Sequence, residues 1–330
     1  MRVFVTGATG IVGNAVARLL ARKGHQVRAL ARNLERARMI LPPEVELARG
    51  DVLEPETLKA AAAGCELVFH AAGIPELWQR DEAVFDRVNR QGTAHVLRAA
   101  LEAGARRAVY TSTMDVFAAP RGGTLVETLP DAEPKKTAYE RSKVAAEREA
   151  EAVRAQGLDV VFVNPAAVYG PSPSLTGLNA FFGKLLRGQV PMVPPGGMSV
   201  VYVEALALAH LAASEKGRDG ERYIVSDGHV SNRELAEAVV RVAGLPRVPP
   251  SAPAWLMKAL AAVSVPLARA FRFTPLVTPG QLAFVLWDAR ADASKAVREL
   301  GYRPMPLGEG VSNTVEFLEE QGFGTTPRRE

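Results

Sequence analysis

Cysteine is almost absent: Cys65 is the only one in 330 residues, which excludes an internal disulfide and fits a reducing cytoplasm. Histidine is scarce as well. His25, His70, His95, His210 and His229 have no metal-ligand spacing among them, so no structural or catalytic metal is expected. Neither sign of charge dominates, with 40 Lys and Arg against 36 Asp and Glu and a net charge of +4. The basic residues are scattered, whereas binding to a duplex backbone calls for a clustered stripe, so nucleic acid is not expected as the main partner. Long unbroken apolar runs are lacking too. The run from Met1 to Leu20 is interrupted by Gly7, Gly10 and Gly13 and precedes no small-residue cleavage site, so it does not read as a signal peptide. The stretch 252–271, "APAWLMKALAAVSVPLARAF", has the length of a membrane span but carries Lys258, Pro266 and Arg269. It reads as a helix pair lining an apolar pocket, and membrane contact is not expected.

What the chain does contain is a hydrophobic fraction of 48%, enough for the core of one large or two fused domains. Six β-branched runs stand out: "RVFVTG", "QVRALAR", "VELARGD", "CELVFHAA", "RAVYTST" and "DVVFVNPA". Helix-length segments at 11–23, 81–103 and 137–156 lie between them, giving the βαβ rhythm of an α/β, doubly wound parallel sheet. The rhythm breaks after Pro165, where "NPAAVYGPSPSLTG" and "VPMVPPGGMS" read as loops around a short helix near 178–187. "SVVYVE" and "ERYIVSD" are late strands, each followed by a helix, the second opening on a Ser231 to Glu234 capping box. The expected organisation is a nucleotide-binding domain over 1–170 to which 200–226 returns. Residues 171–199 and 227–330 would form a smaller cap over it.

"VTGATGIVGNAVARLL" places Gly7, Gly10 and Gly13 after the first strand and at the opening of a helix, with Thr9, Ile11 and Val12 between them. Glycines there let the backbone turn tightly and approach a pyrophosphate, whose charge the helix N-terminus stabilises. The spacing T-G-x-x-G-x-x-G resembles the fingerprint of the extended short-chain dehydrogenase/reductase family, whose nucleotide domain is of the Rossmann type. At the end of the second strand, an acid would accept from the ribose hydroxyls of NAD, whereas an arginine pairs with the 2′-phosphate of NADP. That position falls on Ala31, and Arg32 follows. NADP is the expected cofactor, with NAD the alternative if Arg32 is only a solvated charge at a helix start. The resemblance implies an adenine contact at Asp51 and Val52 and close backbone approach to the cofactor at Ala71, Ala72 and Gly73.

"TAYERSKVAAE" sets Tyr139 and Lys143 four residues apart on a helix, where their Cβ atoms lie roughly 5–6 Å from each other. A free phenol titrates near 10, so working near neutral pH takes a shift of about three units, on the order of 4 kcal/mol. One cation rarely supplies that, and further matches to the family carry the assignment. Thr113 in "YTSTMDVFA" precedes Tyr139 by a spacing like the family's, and Asn89 in "VNRQGTAHVLRAA" matches its helix asparagine. The resemblance implies Tyr139 as proton donor and acceptor, Lys143 as stabiliser of the phenolate and ligand of the nicotinamide ribose, and Thr113 as oxyanion donor. Asn89 would shape the local backbone around a proton-relay water. Ser112 reads as a strand-end hydroxyl bonding to backbone, and "NPAAVYGP", with Pro165 and Val168, as the segment flanking the nicotinamide.

Departures from the family narrow the chemistry. Its sugar-nucleotide dehydratases carry an Asp-Glu pair after the threonine, where this chain has Met114 and Asp115, so water elimination lacks its proton donor. Many sugar-nucleotide members keep an arginine where "VFVNPAA" has Asn164. "N-P-x-x-V-x-G-P" resembles dihydroflavonol and cinnamoyl-CoA reductases, and "T-S-T-M-D-V" resembles hydroxysteroid dehydrogenases. The resemblance implies an oxidoreductase on a bulky, mainly apolar carbonyl or secondary alcohol. A nucleotide-sugar epimerase and a non-catalytic NADP-binding sensor are the alternatives, the sensor type generally lacking the tyrosine-lysine pair. Met114, Asp115, Phe181 and Phe182 are the expected substrate contacts, with Met192, Met198, Trp255, Leu256, Phe271 and Phe273 supplying further apolar surface and Lys184, Arg187 and Arg272 the few cations. The resemblance also implies a homodimer paired through the helices at 81–103 and 137–156; packing against the chain's own sheet is the other reading of Ala145, Ala146 and Ala150.

Overall fold

In the computed structural model, residues 1–127, 135–271, 275 and 278–323 are described. The strands, in chain order, are β1 (Arg2–Thr6), β2 (Gln26–Ala31), β3 (Glu46–Arg49), β4 (Leu67–His70), β5 (Arg107–Thr111), β6 (Thr124–Leu125), β7 (Asp159–Pro165), β8 (Ala167–Tyr169), β9 (Gly197–Tyr202), β10 (Arg222–Val225), β11 (Gly228–Ser231) and β12 (Arg290–Ala291). Seven of them form one parallel sheet in the order β10-β7-β5-β4-β1-β2-β3. All six expected runs lie in it.

The sheet is apolar on both faces because side chains alternate along each strand. Val3, Val5, Val109, Val161 and Val163 pack on one side, against the helices Ile11–Arg22 and Val203–Lys216. Phe4, Val68, Ala108, Tyr110, Val160 and Phe162 pack on the other, with Ala99 and Ala100 of the helix Gly92–Glu102 and Ala146 and Ala150 of the helix Ala138–Arg154. The first of these cores continues beyond the large sheet to take in Tyr169, Phe182, Leu235 and Val311.

Chain order reverses between β1 and β4, which pair in register from Val3 with Leu67 to Thr6 with His70. In such sheets the crevice beyond the carboxyl ends at the reversal is the natural ligand site. Gly7 leaves β1 there and Ala71 leaves β4.

Three segments differ from expectation. The run "SVVYVE" does form β9, but in a small separate sheet ordered β11-β9-β8. Its partner β8 lies within "NPAAVYGP", where Ala167, Val168 and Tyr169 pair in parallel with Val200, Val201 and Tyr202. The stretch 252–271 holds one helix, Ala254–Phe271, with Pro266 inside it, rather than a pair. Its partner is the next helix, Pro279–Trp287, met through Met257, Ala261 and Leu282. The third difference is local: between Ala83–Phe85 and Gly92–Glu102 the chain makes a π-helical turn, Asp86–Gln91, centred near Asn89. No helix among the described residues is long and apolar enough to cross a membrane.

Candidate active site

Gly7 adopts φ +74°, and an added Cβ would lie 2.6 Å from the Ala71 carbonyl and the Ala72 nitrogen. At Gly13 an added Cβ would overlap the Gly7 carbonyl. Both positions therefore need glycine, and together they bring the loop against the end of β4. The helix that follows, capped at Gly10, has no side-chain cap and no acid in its first turn. That leaves its amide dipoles to an anion. Thr6 Oγ1 lies 2.7 Å from His70 Nδ1 and accepts from the Ala72 amide at 3.3 Å, tying the two strand ends together. Burial, with Lys143 adding to it, lowers His70 to about 3 and keeps the ring neutral.

A cavity of about 1020 Å³ opens over this crevice. Gly10, Ile11, Val12, Ala71, Ala72, Gly73, Pro165 and Val168 line it, together with Asn89, Thr113, Met114, Asp115, Tyr139, Lys143 and Phe181. A glycine cradle, an uncapped helix start and a tyrosine-lysine pair on one cavity fit a dinucleotide. Gly7, Thr9 and Gly13 shape the loop without lining the cavity. Arg32, Asp51 and Val52 stand at the ends of β2 and β3, away from the lining residues. The Arg32 side chain is 81% exposed and 3.8 Å from Asp51. Asp51 also caps the turn through Leu53 N at 3.0 Å, and the Val52 carbonyl lies 3.0 Å from His95 Nδ1.

Tyr139 stands in the first turn of the helix Ala138–Arg154, whose start is anchored by a reciprocal Thr137–Glu140 capping box. Its carbonyl accepts from Ser142 Oγ at 2.6 Å, and Ser142 in turn accepts from Asn89 Nδ2 at 3.0 Å. Asn89 also clamps Ile74 through both amide groups, at 2.8 and 3.1 Å. The π turn leaves the Asn89 carbonyl to Thr93 Oγ1 at 2.5 Å, a hydroxyl that also contacts His70 Nε2 at 3.0 Å. Asn89 thus holds the loop after β4 and the start of the tyrosine helix in one frame.

Lys143 is buried and donates to Tyr110 Oη and to the Thr111 carbonyl, both at 2.9 Å. An ammonium has three donors, so one remains for the cavity. Burial lowers Lys143 to about 8, opposed by Glu147 and Asp115. The Tyr139 phenol is pushed up rather than down, first by burial and then by the charge of Asp115, while contact with Thr113 pulls the other way. Burial is the main cause, and Asp115, Glu76 and Glu140 add to it, while Lys143 directs two of its bonds to Tyr110 and Thr111. A phenol in that state is a proton donor at neutral pH.

Sequence reasoning missed the support beneath these groups. Glu147 is fully buried one turn beyond Lys143 and accepts from Ser112 at 2.5 Å, Asn164 at 2.9 Å and Arg222 at 2.7 Å. Ser112 therefore bonds to a carboxylate, not to backbone as expected. Asn164 also donates to the Thr113 carbonyl at 3.1 Å, fixing the end of β5. The i, i+4, i+8 spacing of Tyr139, Lys143 and Glu147 was the available signal. Glu76 and Trp78, in the loop after β4, line the cavity as well.

The apolar and basic residues expected near the substrate sort unevenly. Phe181 and Met198 line the cavity, but Phe182 is fully buried against Tyr169, so it belongs to the core and not to the substrate surface. Met192 packs on the small cluster of the helix Ala254–Phe271, Leu256 is half-buried on that helix away from the lining, and Trp255 is 70% exposed. Arg272, Phe273 and the side chain of Phe271 lie outside the described residues. The apolar wall comes instead from Ala283, Phe284, Val285 and Trp287 of the helix Pro279–Trp287. Lys184 lines the cavity, and Arg187 stacks on Phe323 at 4.2 Å.

The profile of the NAD dependent epimerase/dehydratase family matches residues 3–226. The 4-hydroxy-2-methyl-3-oxo-4-farnesyl-3,4-dihydroquinoline-1-oxide ketoreductase of Stigmatella aurantiaca is 31% identical, with 100% of both chains covered. A 3 beta-hydroxysteroid dehydrogenase/Delta 5-->4-isomerase of Mycobacterium tuberculosis is 30% identical over 92% of this chain and 86% of its own. The UDP-glucose 4-epimerase of Thermus thermophilus, solved with NAD, superposes with a TM-score of 0.78 at 24% identity over 97% of this chain and 99% of its own, a likeness of fold. With the glycine loop, the tyrosine-lysine helix and Thr113 just beyond β5 brought to one crevice, the chain belongs to the NAD dependent epimerase/dehydratase family and is an enzyme of the extended short-chain dehydrogenase/reductase type.

Proposed function

We propose that this enzyme reduces, or in reverse oxidises, a bulky and mainly apolar carbonyl or secondary alcohol with NADP. The observation that carries the reading is the cavity itself, where Tyr139, Thr113 and Lys143 face a wall built from Trp78, Phe181, Phe284 and Trp287. The cavity also carries polar groups such as Glu76, Asn89 and Lys184, but pockets whose walls are mainly apolar and aromatic suit ligands of that kind. The ketoreductase and the hydroxysteroid dehydrogenase among its relatives support it.

When bound, the nicotinamide supplies or accepts the hydride. Gly7, Thr9, Gly10, Ile11, Val12 and Gly13 would hold the diphosphate, Arg32, Asp51 and Val52 the adenosine end, and Ala71, Ala72, Gly73, Pro165 and Val168 the nicotinamide end. Tyr139 gives its phenolic proton to the substrate oxygen, and the ammonium of Lys143 stabilises the phenolate left behind. Thr113 donates to the oxygen as charge develops on it. Asn89 keeps Tyr139 in position through Ser142. The residues 171–199 and 227–330 are taken as the substrate cap.

NADPH should bind more tightly than NADH, because Ala31 offers no acid and Arg32 is exposed at the end of β2. One charge-assisted contact contributes roughly 1.5–3 kcal/mol, or about ten- to a hundredfold. Titrating both nucleotides against wild type and Arg32→Ala checks this; equal affinities that the mutation leaves alone would refute it. Calorimetry of the NADP complex separates the main reading from an epimerase. Binding of alicyclic or aromatic ketones is expected, and micromolar binding of a UDP-sugar with no ketone turned over would reverse the assignment.

We also propose a cytoplasmic homodimer paired through the helices Gly92–Glu102 and Ala138–Arg154. Ala146 and Ala150 are used by the chain's own sheet, so the outer faces of these helices, with Arg98 and Arg148 exposed, would make the contact. Light scattering at micromolar concentration should give a dimer mass. A monomer mass would remove the proposal.

A further inference from the structure

We infer that Asp115 sets the direction of the hydrogen bond on Thr113, so that Thr113 can donate to a substrate oxygen only while Asp115 carries a proton. The inference rests on the carbonyl-reducing reading above. A threonine hydroxyl has one proton and two lone pairs. Three groups converge on that of Thr113: Asp115 Oδ2 at 2.7 Å, the Asp115 amide at 3.3 Å and the Tyr139 phenol.

When Asp115 is ionised it can only accept, so it takes the Thr113 proton. The lone pairs of Thr113 are then open to the Asp115 amide and to the Tyr139 hydroxyl, and both protons needed by the substrate oxygen point away from it. When Asp115 is protonated, its O–H donates to Thr113. The Thr113 proton is released toward the cavity, and Tyr139 is free to donate to the substrate. Asp115 is in this sense a positioning residue.

The surroundings make the protonated form accessible. Asp115 is buried on the cavity wall, and its Oδ1 has no hydrogen-bond partner among the described residues. Glu140, Tyr139 and Lys143 face it from the helix Ala138–Arg154, Glu76 from the loop after β4, and Lys135 from the segment before the helix. Burial raises the carboxyl to about 7, with Glu140 and Glu76 adding to the rise and Lys135 opposing it. The donor is therefore present below about 7 and lost as pH rises through that value.

The test compares kcat/KM for NADPH-dependent carbonyl reduction against pH in wild type and Asp115→Asn, with thermal unfolding to confirm that the variant folds. An asparagine amide can donate to Thr113 at every pH. Wild type should lose activity above the inflexion, on the order of a hundredfold when the donor is fully withdrawn. Asp115→Asn should lack that inflexion and keep only the decline at higher pH set by Tyr139 and Lys143. An inflexion that persists in Asp115→Asn, or that is missing from wild type, overturns the inference. If neither protein reduces any carbonyl, the reductase reading has failed instead. Carbon-13 NMR of the wild-type Asp115 carboxyl then decides the matter, and also does so if the variant does not fold. Titration near neutral pH supports the switch, and titration in the ordinary carboxylate range removes it.

Discussion

Tyr139→Phe is expected to lower kcat by about a thousandfold, within the range of roughly 10² to 10⁴ that one positioned acid or base contributes, while nucleotide affinity changes little. The substitution removes one oxygen and keeps the ring, whose edge-on packing against Phe85, with centroids 6.1 Å apart, survives. The capping box and the Ser142 bond to the Tyr139 carbonyl use backbone and neighbouring side chains, so the helix start is unaffected. What is lost is a group on the cavity wall that combines a neutral-pH proton with a cationic neighbour one helical turn away. Lys143→Met should behave differently and impair nucleotide binding as well as turnover, since Lys143 would hold the ribose. A Tyr139→Phe enzyme that kept most of its kcat with the true substrate would show that the proton comes from elsewhere.

The second large effect is on stability. Glu147→Ala should destabilise the protein by about 3–5 kcal/mol, the usual cost of removing one partner from a buried ion pair. Arg222 is 9% exposed by side chain and gives Glu147 a 2.7 Å bond; of its two carboxylate partners it keeps Glu151, at 3.0 Å, once Glu147 is gone. Ser112 would lose its acceptor and Asn164 one of two, and all of these lie buried. Because Asn164 also holds the Thr113 carbonyl, activity should fall along with stability. Glu147→Gln, which keeps an acceptor in place, should cost less. Denaturant midpoints at constant slope measure the difference. A loss under about 1 kcal/mol for Glu147→Ala would mean that water replaces the carboxylate more easily than its burial suggests.

The sheet was legible because its strands are short, β-branched and separated by turn residues, and because a parallel sheet covered on both faces needs near-continuous apolar runs. "DVVFVNP" and "LVFH" could hardly be anything else. The glycine loop was legible for a related reason: Gly7 and Gly13 answer to close backbone approach, which leaves no room for a Cβ at either position. Contacts made through the chain's long returns were not. Adjacent helix positions diverge by about 100°, so Phe181 faces the cavity and Phe182 the core, a choice fixed only by where Tyr169 and β8 sit. The π turn around Asn89 is confined to the six residues Asp86–Gln91, a stretch too short for apolar spacing to separate it from the helices on either side. Glu147 shows the opposite failure. Its spacing from Tyr139 and Lys143 was visible, but an acid in "KVAAEREAE" reads as a solvated face until Arg222 arrives from a strand 75 residues later.

Consumption of the nicotinamide separates a reductase from an epimerase most directly. Purified enzyme is supplied with NADPH and an alicyclic or aromatic ketone panel, and oxidised nucleotide and alcohol product are counted together. One NADPH oxidised for each carbonyl reduced, with the activity absent from Tyr139→Phe, is the predicted result. Interconversion of a UDP-sugar with the nucleotide returned unchanged at the end of each turnover, and no carbonyl reduced, would contradict it.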